Sequence, residues 1–161
     1  MIDVDPALLT LGLTQTCFEG SMYLFVFAWV PSLQESSPFG IDLPLGYIFS
    51  SFMVAMMLGS LTYTVIVTYA PSTNSPPLSP IKNQSAENPL TLHAKLSSLV
   101  CTISAFALAV SVSTTDPKHR FWAFCLFEGC VGIYYPVQGT LRGTLISNDH
   151  RATVSSTFLH P

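Results

Sequence analysis

Charge is what this sequence has least of. Asp, Glu, Lys and Arg make up 9% of its 161 residues, against roughly 25% in an ordinary soluble domain. Since 49% of the residues are hydrophobic, a globule of this size has too little polar surface to cover itself in water, and lipid is the solvent that fits. Basic residues number six and the net charge is −3. With no basic patch, nucleic acid is excluded as a partner. Paired cysteines are missing too. Cys17, Cys101, Cys125 and Cys130 stand in apolar runs without CxxC spacing, which reads as reduced packing residues rather than a disulfide framework or a zinc site. No Ser-His-Asp set, HExxH or glycine-rich phosphate loop occurs. An enzyme therefore has no motif to rest on, and no cofactor or metal is expected. The acidic start, MIDVDPALL, lacks the basic n-region of a secretory signal.

Period-2 alternation is also absent, which leaves helices as the spanning element, because lipid forces each segment to satisfy its own backbone. Four runs are long enough to cross a bilayer core about 30 Å thick: residues 8–30, 45–70, 94–115 and 121–141. The first is expected to end at Pro31. Between them lie PSLQESSPFGIDLP (31–44), a Pro/Ser/Asn-rich loop over about 71–93, and TTDPKHR (114–120), a tight polar turn. Trp29, Tyr47, Tyr69 and Trp122 sit near helix ends, where amphipathic rings favour the interface. Lys82, Lys95, Arg142 and Arg151 share one side and Lys118 and Arg120 the other. That bias makes the first side, with both termini and the 71–93 loop, cytoplasmic. His93, His119, His150 and His160 fall in loops or at helix ends without metal-ligand spacing and read as solvated. Ser51, Ala55 and Gly59, and in the third helix Ser97, Cys101, Ala105, Ala109 and Ser113, repeat every four residues. Such small-residue stripes are expected to let helices approach closely.

Against this apolar background two carboxylates stand out. Glu19 and Glu128 each sit in a Phe-Glu-Gly triplet inside a hydrophobic run. A charge at a helix centre costs about 2.5–3.5 kcal/mol. The eight large apolar residues of the first helix each offset about 0.3–0.6 kcal/mol, little more than the carboxylate costs in total. Its polar face must therefore look into protein or a watery cavity. Gln15, Glu19 and Tyr23 stack at i, i+4, i+8, and Glu128, Gly132 and Tyr135 share a side of the fourth helix. Pro136 follows, where a kink or break is expected. Interrupted helices beside an ionisable residue mark binding sites in transporters, and the repeated triplet fits an inverted repeat of three plus three helices. The alternative is that each glutamate is neutral or paired and serves helix association alone.

The blocks GLTQTCFEGSMYLFVFAWVPSL, LPLGYIFSSFMVAMMLGS and FEGCVGIYYPVQGTLRGTLISNDHRATV closely resemble the molybdate-anion transporter family, a branch of the major facilitator superfamily. The resemblance runs from Leu11 to Val154. It implies an all-α, multi-pass membrane protein, in the plasma membrane, whose four transmembrane helices correspond to helices seven to ten of a twelve-helix bundle, in its C-terminal half. It places Glu19 and Glu128 on helices that border the central cavity. After DHRATV the family pattern is lost, and residues 155–161 form a divergent tail. A partial chain, needing a complementary helix bundle, is the resulting expectation.

Molybdate is a dianion, which two ionised glutamates would repel. At least one is expected to be protonated while the anion is bound, since burial favours the neutral form. Proton-coupled uptake of molybdate or a related oxyanion follows. Gln15, Tyr23, Tyr135 and Gln138 are expected to supply further donors, and Arg142 to meet an anion or a lipid phosphate. A non-transporting four-helix membrane protein is the rival reading.

Overall fold

The computed structural model describes residues 6–36, 43–69 and 89–158. The loop expected over about 71–93 lies outside these as far as residue 88, as do Lys82, His160 and the side chains of His150 and Arg151. Four helices make up the described chain: α1 (Pro6–Ser36), α2 (Leu45–Tyr69), α3 (Pro89–Ser113) and α4 (Pro117–Phe158). Among the described residues there is no strand. Two helices, α2 and the Thr91–Ser113 stretch of α3, are long and apolar enough to cross a membrane by themselves. In α1 and α4 the glutamates and a sprinkling of Thr, Gln and Ser dilute the apolar character. A bilayer tolerates such helices when the polar face meets protein or water.

Neither proline ends its helix. Instead of stopping at Val30, α1 continues through Pro31 to Ser36, where the Ser36 hydroxyl donates to the Ser32 carbonyl at 2.9 Å. Instead of breaking, α4 stays helical across Pro136 for 42 residues. The missing N–H of Pro136 frees the Gly132 carbonyl, and the next turn is braced by Thr140 Oγ1 donating to the Pro136 carbonyl at 2.9 Å. Membrane helices accept prolines where side-chain hydroxyls and neighbouring helices make good the ladder.

The turn between α3 and α4 is Thr114–Asp116, and its chemistry is legible residue by residue. Asp116 caps α4: its Oδ1 accepts from the Lys118 amide at 3.1 Å and its Oδ2 meets His119 Nδ1 at 2.7 Å. Pro117 occupies the first helical position, where no amide is wanted. The Lys118 amide, and after it His119, hold the Asp116 carboxyl below its ordinary range. A carboxyl with a depressed folded pKa stabilises the fold above its unfolded value and stops doing so as pH falls through the folded one. Asp116→Ala should therefore speed amide exchange in the first turn of α4 at neutral pH. The difference from the parent should shrink as pH falls below the ordinary range of Asp and through the depressed pKa of the folded state. Hydrogen exchange read by mass spectrometry checks both.

Helix α4 is the element on which the others pack. From α1 it receives Phe18 and Phe25, two turns apart: Phe18 stacks on Tyr134 with ring centroids 3.7 Å apart, and Phe25 meets Phe124 edge-on at 5.3 Å. Phe52 of α2 joins from the other flank, 5.6 Å from Phe25 and 5.9 Å from Phe121. With α2 the approach is closer still. A Cβ on Gly59 would overlap the Gly129 carbonyl, and one on Gly132 would overlap that of Met56, so backbone lies directly on backbone. The expected α2 stripe of Ser51, Ala55 and Gly59 does face α4 at Ala55 and Gly59.

The expected α3 stripe holds only at its start, buried Ser97 and half-buried Cys101. Ala105, Ala109 and Ser113 are exposed, and the buried line is His93, Ser97, Val100, Ser104, Ala107 and Ser111. The reason is geometric. A four-residue repeat drifts about 40° per step round a helix of 3.6 residues per turn. Two steps in α2 stay on one face, whereas four steps in α3 rotate off it. Because α3 begins at Pro89, His93 lies inside the helix. It is buried there, with Nε2 3.3 Å from Tyr63 Oη, rather than solvated as expected. Tyr47, Tyr69 and Trp122 are exposed near helix ends, and Trp29 packs on Phe52.

Candidate functional site

The two Phe-Glu-Gly triplets meet. Phe18 and Phe127 stack with centroids 6.2 Å apart and an interplanar angle of 18°, so the α1–α4 contact is built on the repeated motif. Each glutamate follows its buried phenylalanine and lies about 100° round its helix, beside the contact rather than in it. Their surroundings differ. Glu19 is half-buried, and its Oε1 accepts a hydrogen bond from Gln15 Nε2 at 2.7 Å. Glu128 is buried at 6% exposure and has no hydrogen bond or ion pair with a described residue.

Tyr135 joins the two helices. Its hydroxyl donates to Met22 Sδ across the α1–α4 contact at 3.2 Å, and it lies within electrostatic range of Glu19, Tyr23 and Glu128. Tyr23 itself is largely exposed. Of the residues singled out in the sequence, Gln15, Glu19, Tyr23, Glu128 and Tyr135 thus form one neighbourhood. Gln138 and Arg142 reach it through Tyr134, the ring that stacks on Phe18. Buried Gln138 donates from Nε2 to Tyr134 Oη at 3.1 Å. Its Oε1 is a buried acceptor with no partner. Exposed Arg142 stands one turn further along α4, within electrostatic range of Tyr134. Among the described residues no group of three or more His, Cys, Asp and Glu could hold a metal.

The arrangement is rich in acceptors. Two carboxylates and an orphaned amide oxygen lie along the α1–α4 contact, with the Tyr23 and Tyr135 hydroxyls and the Arg142 guanidinium as donors. A ligand that suits it either brings protons and cations or arrives when a carboxylate is already neutral.

One polar residue escaped notice in the sequence. Arg120, placed there merely on the side of the membrane opposite Arg142, is a buried clamp. Its Nε donates to the Ser111 carbonyl at 3.0 Å, Nη1 to that of Ser32 at 2.5 Å and Nη2 to that of Thr114 at 2.7 Å. It therefore gathers the C-terminal carbonyls of α1 and α3 at the start of α4, where a cation complements the helix dipoles. The available signal was its position: an arginine in the first turn of a helix, after a three-residue turn, can reach back to the helix that has just ended.

A family profile described as 12-transmembrane sugar transporters matches residues 1–72. The chain is 32% identical over 165 residues to the molybdate-anion transporter of Takifugu rubripes, a match covering 98% of the chain and 29% of that protein. It is likewise 32% identical over 160 residues to the molybdate-anion transporter of Danio rerio, covering 98% of the chain and 29% of the relative. For that of Xenopus tropicalis the figures are 32% over 159 residues, 98% and 31%. The chain thus spans about three-tenths of the length of the curated relatives it matches. No solved structure matches it. Over nearly its whole length the chain is thus similar to the molybdate-anion transporters, and over residues 1–72 to a family of 12-transmembrane transporters, in keeping with its all-helical fold.

Proposed function

We propose that the chain forms part of a membrane transporter for molybdate or a similar tetrahedral oxyanion, and that uptake is coupled to protons. The observation that carries the reading is Glu128: a carboxyl buried at 6% exposure, with no hydrogen bond to a described residue, on the helix that Tyr135 ties to Met22 of α1, one turn from Glu19. Ionised and unpaired, such a group is costly to bury. Neutral, it is a hydrogen-bond donor beside the α1–α4 contact. A tetrahedral dianion offers only acceptors, so it binds when Glu128 carries its proton and is repelled when the proton leaves. Glu19 is held by Gln15 and serves as the second carboxyl of the cycle. Tyr23 and Tyr135 add neutral donors, Gln138 positions Tyr134, and Arg142 draws the anion from the cytoplasmic end. The four helices take the places of helices seven to ten, in the plasma membrane, and a complementary bundle closes the cavity.

The test is molybdenum accumulation, by elemental mass spectrometry, in molybdate-starved cells. Cells express the chain alone, the chain together with the remaining helices of a relative, or an empty vector. Uptake above vector with the complementary helices is expected. Absence of uptake in both arms, with the chain in the membrane, sinks the reading. It would favour instead a four-helix protein acting through helix association, to which the glycine-mediated α2–α4 contact also lends itself.

A further inference from the structure

Away from Glu19 and Glu128, α1, α3 and α4 enclose a furrow of about 390 Å³. Its walls are apolar, with Leu24, Phe25, Leu108, Val112 and Phe124 among the lining residues, and Leu24 and Val112 are largely exposed at its edges. The Arg120 guanidinium lines it, as do Ser32, Ser111 and Glu35. Arg120 is nine-tenths buried and its three bonds all go to neutral carbonyls. The charge is thus hydrogen-bonded but not neutralised, and two of the five guanidinium N–H groups are left over. Glu35 is exposed.

The order of these features along α1 specifies a ligand. From Ser21 to Glu35 the furrow follows the helix for about 21 Å, at about 1.5 Å per residue. Apolar wall comes first, then the cation held at Ser32, then, about 4.5 Å further out, the carboxylate. A membrane amphiphile with an acyl chain, a phosphate and an outer ammonium presents the complementary groups in the same order of depth. We propose that this furrow is a binding site for a phospholipid whose headgroup carries a phosphate and a primary ammonium. The phosphate takes the spare Arg120 donors, the ammonium meets Glu35, and one acyl chain lies along Phe25 and Leu108. A headgroup with phosphate alone would set its charge against Glu35, and a quaternary ammonium could not donate to it.

The test is native mass spectrometry of the purified chain released from detergent micelles holding equal amounts of phosphatidylethanolamine, phosphatidylcholine and phosphatidylglycerol. The phosphatidylethanolamine adduct should exceed each of the others by about threefold, the scale of one exposed ion pair. Glu35→Gln, an exposed substitution that leaves the clamp intact, should erase that preference. Arg120→Gln should reduce all lipid adducts by roughly tenfold. Glycerophosphoethanolamine, the headgroup without chains, should not compete, since the wall is apolar. Equal adducts for the three lipids overturn the proposal, as does a preference that survives Glu35→Gln. A furrow that retains no lipid is covered instead by another protein helix, and that result overturns it too.

Discussion

Gly132→Leu is expected to prise α2 from α4. The atom that a new side chain would meet is the backbone carbonyl of Met56, with the Ser60 amide just behind it, and neither can swing away as a side-chain tip would. Overpacking of a core costs typically about 1–3 kcal/mol, and a clash with rigid backbone belongs at the upper end of that range. Gly132→Ala should already destabilise, although alanine is the better helix former by about 1 kcal/mol. Gly20, the glycine of the first triplet, makes the control: a Cβ there meets nothing within 4 Å. Gly20→Ala should therefore raise the melting temperature of the detergent-solubilised chain while Gly132→Ala lowers it. Equal shifts of one sign would refute the close approach.

Glu128→Gln should uncouple uptake from pH. In a full-length relative carrying this chain's segment, uptake by the parent should rise as external pH falls, because protonation turns a repelling group into a donor. The amide of glutamine is a donor at every pH, so the variant should transport with a flat profile. Glu128→Leu removes the donor altogether and should cut uptake by about tenfold or more, the loss expected of a hydrogen bond to a charged ligand. Glu19→Gln should alter the profile less, since Glu19 already has Gln15 as a partner. Initial rates of molybdate uptake between about pH 5 and 8 decide the matter. An unchanged slope in both glutamine variants would remove protons from the mechanism.

Much of this was legible because lipid simplifies the reading. Long apolar runs could be little else than helices, and TTDPKHR was legible as a polar turn, whose cap by Asp116 the structure adds. The repeated triplet announced that α1 and α4 matter together; that its phenylalanines would stack on each other was beyond a motif of three residues. The helix end expected at Pro31 and the break allowed for at Pro136 do not occur. Pro31 and Pro136 remove one amide each, and the helix runs on past both. The α3 stripe failed beyond its start because a four-residue spacing is not the helical period. His93 was expected to be solvated and Arg120 was given only a side of the membrane, because a contact with a residue far along the chain leaves no local mark. Tyr63 and Ser32 are those residues, and neither is near in sequence.

The dependence of three helices on α4 has a consequence for the order of events in synthesis. α4 begins at Pro117, some eighty residues after the end of α1. At about 5–20 residues per second, roughly 5–15 s separate the entry of α1 into the bilayer from the arrival of the helix that receives Phe18 and Phe25. During that interval Gln15 is the internal cover for Glu19, supplied from one turn away on the same helix. That hydrogen bond needs nothing beyond α1 itself, so Glu19 is partnered as soon as its own helix forms, before α4 arrives.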